Sequence, residues 1–229
     1  MLVRDWMTPE VITIGIEEPL QRALETMEKR KIRCLPALEG TKLVGMLTEH
    51  DVRRGMAAAG ADSAGPGPEA YLQETRVEKA MTRNPVTLVP DFTVEEAAET
   101  LIKRNIPAVP VVDDRGGLIG IITQRDLLRA TVSAGGVAMR GVLFAFMLED
   151  RPGSIKEVTD VIRRYGGRLV SILTTYERIP EGFRKVHVRA FDLDAEDLPA
   201  LLKDLQTRAQ MLYMVDHISG IRRKFTAFQ

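Results

Sequence analysis

The chain has very little sulfhydryl chemistry: Cys34 is its only cysteine. One thiol excludes an intramolecular disulfide and a cysteine-built zinc site, and it fits a reducing cytoplasm. There is no surplus of charge, since 32 Lys and Arg balance 32 Asp and Glu. Nonspecific nucleic-acid binding needs a basic surplus, so a nucleic-acid partner is not expected. The one basic cluster, Arg222-Arg223-Lys224, reads as a solvated tail. No apolar run is long enough to span a bilayer, and Arg4 and Asp5 interrupt the N-terminus, so neither a membrane nor a secretory leader is expected. Only three histidines occur, His50, His187 and His217, and they are scattered. No Cys-His, Ser-His-Asp or Gly-x-x-x-x-Gly-Lys-Ser/Thr pattern appears, so no catalytic residue, metal or catalytic cofactor is assigned.

What is present is a repeat. Leu43-Val44-Gly45-Met46-Leu47-Thr48-Glu49-His50-Asp51 returns as Leu118-Ile119-Gly120-Ile121-Ile122-Thr123-Gln124-Arg125-Asp126. Upstream, Met7-Thr8 matches Met81-Thr82, Thr13 matches Thr87, Lys29-Arg30 matches Lys103-Arg104, and Pro36 matches Pro110. The register slips by one residue in a turn, which a structural repeat tolerates. Each copy begins with an extended segment (Val11 to Ile14; Val86 to Val89). A helix follows whose apolar stripe is Leu20, Ala23, Leu24 and Met27, or Val94, Ala97, Ala98 and Leu101. Thr93 and Glu96 form a capping-box pattern. Two short strands come next (Leu35 to Leu38 and Leu43 to Leu47; Ala108 to Val112 and Leu118 to Ile122), then a helix capped by Thr48 or Thr123. Each β-α-β-β-α unit is too small to bury its own sheet, so two copies are expected to pack sheet to sheet. Gly60 to Pro68 reads as a linker.

The Gly-x-x-Thr-x-x-Asp junctions carry the chemistry. A helix start leaves backbone N–H groups unpaired and favours anions. Thr48 and Thr123, with those N–H groups, suit a phosphate, whereas Asp51 and Asp126 can accept from a cis-diol such as ribose. Like charges keep phosphate away from the Asp. Gly45 and Gly120 lack side chains where a ligand or backbone comes close. One Thr-x-x-Asp alone is close to a capping box and reads as structural. Two copies in register point to a ligand.

The last ninety-odd residues differ. A strand at Val142 to Leu148 leads to an Asp150-Arg151-Pro152-Gly153 turn and a helix in which Ser154 and Glu157 occupy capping-box positions. Strands follow at Leu169 to Tyr176 and Lys185 to Phe191; in the second, Val186, Val188 and Ala190 face a core and Lys185, His187 and Arg189 face water. A helix with Leu198, Leu201, Leu202 and Leu205 and a strand at Met211 to Ile218 complete a ferredoxin-like β-α-β-β-α-β order. Its open face and edges suggest a homodimer.

Residues 1 to about 133 resemble a tandem pair of CBS domains, on the strength of Met7-Thr8, Met81-Thr82, Leu35-Pro36, Val109-Pro110 and the two Gly-x-x-Thr-x-x-Asp junctions. The resemblance implies two clefts for an adenine-containing regulatory ligand: AMP, ADP or ATP, with S-adenosylmethionine a further candidate. It places Thr48, Asp51, Thr123 and Asp126 at phosphate and ribose, and Ile12, Thr13, Val86 and Thr87 beside the base. Arg33, which matches Pro107, and Arg125, which matches His50, are candidate phosphate partners, so the clefts are expected to differ. The stretch from about Met139 to Ser219 resembles an ACT domain, carried by Leu148-Glu149-Asp150-Arg151-Pro152-Gly153-Ser154, which implies a possible amino-acid site at Asp150, Pro152, Gly153 and Ser154. The whole order is similar to bacterial acetoin-utilisation accessory proteins. The expected fold class is α/β (α+β): CBS repeats at 1–60 and 76–133, a linker at 61–75 and a ferredoxin-like domain at 139–219. The expected function is a cytoplasmic, non-enzymatic sensor acting on an unidentified protein target. The alternatives are an interaction adaptor without nucleotide and an uncharacterised enzyme.

Overall fold

The computed structural model describes residues 1–61 and 67–225. Residues 62–66, most of the Gly60 to Pro68 linker, lie outside the described residues. The chain divides into two compact units, Met1–Ala130 and Thr131–Gln229.

In the first unit the first repeat comprises β1 (Ile14–Gly15), α1 (Leu20–Arg30), β2 (Cys34–Glu39), β3 (Lys42–Thr48) and α2 (Glu49–Ala61). Two helices follow, α3 (Gly67–Glu74) and α4 (Val77–Ala80), then β4 (Thr82–Arg83). The second repeat continues with α5 (Val94–Arg104), β5 (Ala108–Val112), β6 (Leu118–Thr123) and α6 (Gln124–Ala134). Helices α1 and α5 end at matching residues in the left-handed region, Lys31 (φ 55°) and Asn105 (φ 51°), whose N–H groups close the last turn. The Thr93–Glu96 capping box is present: Thr93 N–H donates to Glu96 Oε2 (2.7 Å) and Glu96 N–H to Thr93 Oγ1 (3.1 Å). Buried side chains fall at helical spacing, Leu20, Ala23 and Met27 in α1 and Val94, Ala97 and Leu101 in α5.

The leading segments do not form the extended strands expected at Val11 to Ile14 and Val86 to Val89. Only Ile14 and Gly15 pair in the first, and a single Leu88–Val111 bridge forms in the second. Prolines flank both segments (Pro9, Pro85, Pro90) and withhold donors. Their upstream ends instead cross between the repeats. β4 pairs with β3 of the first repeat, Thr82 opposite Met46, and Thr8 pairs with Ile121 of the second. Val3 packs in the second repeat's core, with the half-buried Trp6 against it, and Val77 packs in the first's. Between the two, Cys34 and Met46 of the first repeat cluster with Ala108 and Ile121 of the second, giving the expected burial of strand against strand. Burial pushes the Cys34 thiol up to about 11. A second departure is α3, which lies in the stretch expected to be a linker. Its Tyr71 and Leu72 pack against the first repeat's core.

The second unit contains β7 (Val142–Glu149), α7 (Ser154–Arg164), β8 (Arg168–Thr175), β9 (Phe183–Phe191), α8 (Leu198–Arg208), β10 (Gln210–Asp216) and β11 (Arg222–Lys224). The antiparallel sheet runs β11-β10-β7-β9-β8, which places the two helix-flanked strands β7 and β9 at its centre, the ferredoxin-like order extended by one strand. Arg222-Arg223-Lys224 is therefore an exposed edge strand and not a tail. Phe144, Phe146, Val186 and Val188 form the core with Val158, Ile162, Leu201 and Leu205 of the helices. Two expectations fail here. Arg189 does not face water: it is 4% exposed. Its guanidinium donates to the carbonyls of Gly135 (2.8 Å) and Arg140 (3.1 Å). Ser154 does not cap α7, because Gly153 (φ 86°) holds that position.

Candidate functional site

At both repeat junctions the sequence builds the same small network. Thr48 precedes α2, and its hydroxyl donates to Asp51 Oδ2 (2.6 Å). Thr48 N–H donates to the same oxygen (3.1 Å), and Asp51 N–H donates back to Thr48 Oγ1 (3.2 Å). Thr123 and Asp126 repeat the pattern at 2.6, 3.0 and 3.3 Å. This is capping-box geometry with aspartate as the acceptor. The threonine and the aspartate are therefore held together by three hydrogen bonds at each junction. The remaining carboxylate oxygen meets Arg54 (3.1 Å) or Arg129 (3.5 Å). Asp126 is 6% exposed.

The free donors at these helix starts are fewer than the sequence suggests. Glu49 N–H donates to the Arg33 carbonyl (2.9 Å), and Gln124 N–H to the Pro107 carbonyl (3.1 Å). With Asp51 and Asp126 also paired, the N–H groups of His50 and Arg125 are those left in the first turn without a partner among the described residues. Each junction thus offers one backbone donor to an anion.

Gly45 and Gly120 serve the second of the two purposes expected, the close approach of another segment of the chain. A Cβ built on Gly45 comes within 3.0 Å of Met81 Cγ and closer to its sulfur; on Gly120 it comes within 3.0 Å of Met7 Cγ and closer to its sulfur. The space a side chain would occupy holds the methionine of the crossing segment, not an approaching ligand. The recurrence of Met-Thr and of the glycine has one cause.

A cleft of about 210 Å³ opens beside the first junction. Thr48 and Met46 form one wall; the other comes from the second repeat, with Asn84, Val86, Arg104 and Pro107 among its residues. The leading segment of the second repeat thus faces the junction of the first. Val86 is 36% exposed and Thr87 and Arg33 are exposed, whereas Ile12 and Thr13 are half-buried. The wall is largely apolar, with hydroxyls at Thr48 and Thr82, one amide at Asn84 and one cation at Arg104. Arg104 was visible as one of a recurring Lys-Arg pair but given no role, because a charged helix end reads first as solvated surface.

In the second unit, Asp150 accepts from Arg184 and Tyr176 (both 3.4 Å), while Pro152 and Gly153 are exposed. Ser154 Oγ is buried and accepts from Arg184 Nη2 (2.8 Å); Arg184 Nε has no partner among the described residues. Glu157 is drawn away from the capping position by a two-pronged pair with Arg151 (2.8 and 3.0 Å), which also holds its carboxyl below the usual glutamate range. A cavity of about 230 Å³ lies here, lined by Glu149, Arg151, Glu157, Phe183 and Arg208. Of the four residues expected at an amino-acid site, Ser154 alone reaches it. Among the described residues there is no cluster of His, Cys, Asp or Glu able to hold a metal, and no helix long and apolar enough to cross a membrane.

The CBS domain family pattern matches residues 3–58 and 77–133. A CBS domain-containing protein of Dictyostelium discoideum is 32% identical over 132 residues, 56% of this chain and 89% of that protein. Among solved structures, the CBS domain pair of protein MJ0100 in complex with 5'-methylthioadenosine and S-adenosyl-L-methionine is 30% identical. It covers 60% of this chain and 98% of its own, at a TM-score of 0.50. The structure of CBSX2 in complex with AMP is 26% identical, covers 58% of this chain and 97% of its own, and has a TM-score of 0.50. With both repeats matched and the duplicated junction built alike in each, this chain belongs to the CBS domain family as a tandem pair.

Proposed function

We propose that the protein is a regulatory ligand sensor, not an enzyme, and that its CBS pair binds an adenine nucleotide. The observation that carries this reading is the cleft between Thr48 and the Val86 and Arg104 wall. An apolar slot for a base ends at the Thr48 hydroxyl, which Asp51 holds, beside an unpaired helix-start N–H. The ligands named for MJ0100 and CBSX2, all adenosine compounds, support it. AMP, ADP or ATP is the regulatory ligand on this reading, with S-adenosylmethionine a second adenosyl candidate. Ile12, Thr13, Val86 and Thr87 lie beside the base, and Thr48, Asp51, Thr123 and Asp126 lie beside ribose and phosphate. Asp51 and Asp126 accept the diol by releasing the guanidiniums of Arg54 and Arg129, which are themselves solvent-exposed and return to water.

The second unit on this reading is an ACT-like module, supported by its ferredoxin-like strand order and the Asp150 to Ser154 turn. Its roles are homodimerisation or amino-acid sensing, with output to a protein target and a setting related to acetoin utilisation. Signalling requires the ligand to bind two arrangements with different affinity.

Thermal unfolding with AMP, ADP, ATP, S-adenosylmethionine and single amino acids tests the proposal. A ligand at about a hundred times its Kd stabilises by about 2.7 kcal/mol. For a chain of this size that raises Tm by roughly 5–11 °C. The rise is lost for the affected cleft in Asp51→Ala or Asp126→Ala. No rise with any adenine compound refutes the proposal and leaves a purely structural CBS pair.

A further inference from the structure

We infer that Arg189 is a latch: it holds residues 135–141, which join α6 to β7, as a strap across the second unit's sheet, and the strap opens locally while the sheet stays folded. The inference is independent of what the first unit binds.

The strap lies within the second unit, which begins at Thr131. Helix α6 ends at Ala134 and β7 starts at Val142, with one 3-10 turn, Val137–Met139, between them. A connector of this kind is ordinarily loose surface chain. Here three of its carbonyls are taken by the sheet. The Gly135 carbonyl accepts from Arg189 Nε of β9 (2.8 Å) and from Ser171 Oγ of β8 (3.0 Å). The Arg140 carbonyl accepts from Arg189 Nη1 (3.1 Å), and the Gly141 carbonyl from the His217 N–H just past β10 (2.9 Å). One guanidinium thus ties both ends of the strap, which requires the planar fork of arginine. Two glycines let the strap lie close. A Cβ on Gly136 (φ 63°) would overlap Val170 Cγ1, and one on Gly141 (φ 71°) would overlap the Ala190 carbonyl oxygen.

The closed strap also carries two costs. Arg189 is buried, its hydrogen-bond partners are neutral carbonyls, and no carboxylate among the described residues lies within ion-pair distance. Burial accordingly pushes its pKa below the ordinary arginine value. A buried cation without a counter-charge is costly, and hydrogen bonds offset that cost only in part. Arg140 is not a glycine, yet it is held at φ 54° and ψ −122°, a conformation that glycine favours. Opening the strap returns Arg189 to water and relaxes Arg140. The core of Phe144, Phe146, Val186 and Val188 lies on the other face of the sheet and keeps its contacts. Local opening therefore costs less than unfolding the unit. Closed, the strap fixes the end of α6, the helix that starts at the Thr123–Asp126 junction, to β8 and β9. Open, it leaves them joined by slack chain.

Arg140 is exposed, so the strap carries its own tryptic site. Trypsin digestion of the full chain tests the inference in wild type, Arg189→Lys and Gly136→Ala, with the Arg140–Gly141 and Lys185–Val186 bonds followed by mass spectrometry. Lys185 lies within β9, so its bond reports unfolding of the sheet. In wild type the Arg140 bond should be cut first, at a rate that low urea barely changes. Cutting at Lys185 should accelerate with urea, because urea sensitivity follows the surface exposed on opening. Arg189→Lys keeps the charge without the fork and should speed the Arg140 cut about tenfold or more, with the Lys185 cut unchanged. Gly136→Ala unseats the strap without touching Arg189 and should act likewise, so it decides the question if Arg189→Lys does not fold. An unchanged Arg140 rate in either folded variant, or equal acceleration at both bonds, overturns the inference.

Discussion

Gly45→Ala separates a packing role for the repeated glycine from a ligand role. The glycine lies in β3 opposite Arg83 of β4, and its φ is not positive, so an added methyl meets no backbone strain. In a strand interior alanine is intrinsically better than glycine by roughly 0.5–1 kcal/mol. Against that gain stands Met81, whose Cγ and Cε lie 3.0 and 3.2 Å from the new Cβ, with the sulfur nearer still. Carbon atoms in good contact sit about 3.5–4.0 Å apart. Met81 is 8% exposed and belongs to the first repeat's core, so it has to leave a packed site or push β4 off β3. Overpacking of this kind costs about 1–3 kcal/mol, which outweighs the propensity gain. Thermal unfolding of the ligand-free protein should show a Tm lower by roughly 2–8 °C, taking the net loss as about 1–2 kcal/mol. In a Met81→Ala background the same substitution should be neutral or stabilising, because the methyl then fills space the thioether vacated. A Gly45→Ala protein with unchanged stability and weakened nucleotide binding would refute the packing account.

Two further predictions concern single hydrogen bonds. The Thr93 N–H, followed by the Thr93 hydroxyl, holds the Glu96 carboxyl below the usual range. A depressed folded pKa means stability that is present above the unfolded value of about 4.3 and lost as pH falls through the folded value. Glu96→Gln should therefore lower the neutral plateau of a urea-midpoint profile, flatten its acid limb and meet the wild-type curve at low pH; an unchanged plateau with an identical acid limb argues against it. Ser154→Ala removes an acceptor from the Arg184 guanidinium, which already has one unpaired nitrogen, and should cost about 1–3 kcal/mol. The cost should vanish in an Arg184→Met background, whereas a helix-capping role for Ser154 predicts the same cost in both.

Much of the fold was legible because periodicity reports burial. The stripes of α1 and α5, the apolar strands β5 and β6, the Thr93–Glu96 cap and the second unit's strand order all follow from which positions avoid water. What escaped were features with no period. A two-residue crossing strand such as Thr82–Arg83 is too short to alternate. Helix α3 is masked by the glycine and proline at its start. Arg189 alternates correctly along β9, but its face is covered by backbone carbonyls, which leave no mark in the local pattern. At the junctions the residues were legible and their geometry was not. A threonine and an aspartate three apart name a capping box and a ligand contact equally well, and only the hydrogen bonds show that they act together.

The crossing segments make the two halves of the first unit mutually dependent during folding and descent. Thr8 completes the second repeat and Thr82 completes the first, so neither is finished until the chain has folded back across both. Such pairing is distant in sequence and forms late, after the local helices and hairpins. It also bears on how a duplicated gene of this kind begins. A lone copy carries a Met-Thr arm with nowhere of its own to place it and lacks the arm it requires, so two separate chains satisfy each other by exchange, as in a swapped dimer. Fusion of the copies turns that exchange into an intramolecular clasp. After fusion the pair no longer depends on protein concentration, and the two halves are free to diverge in sequence while the clasp holds their frame.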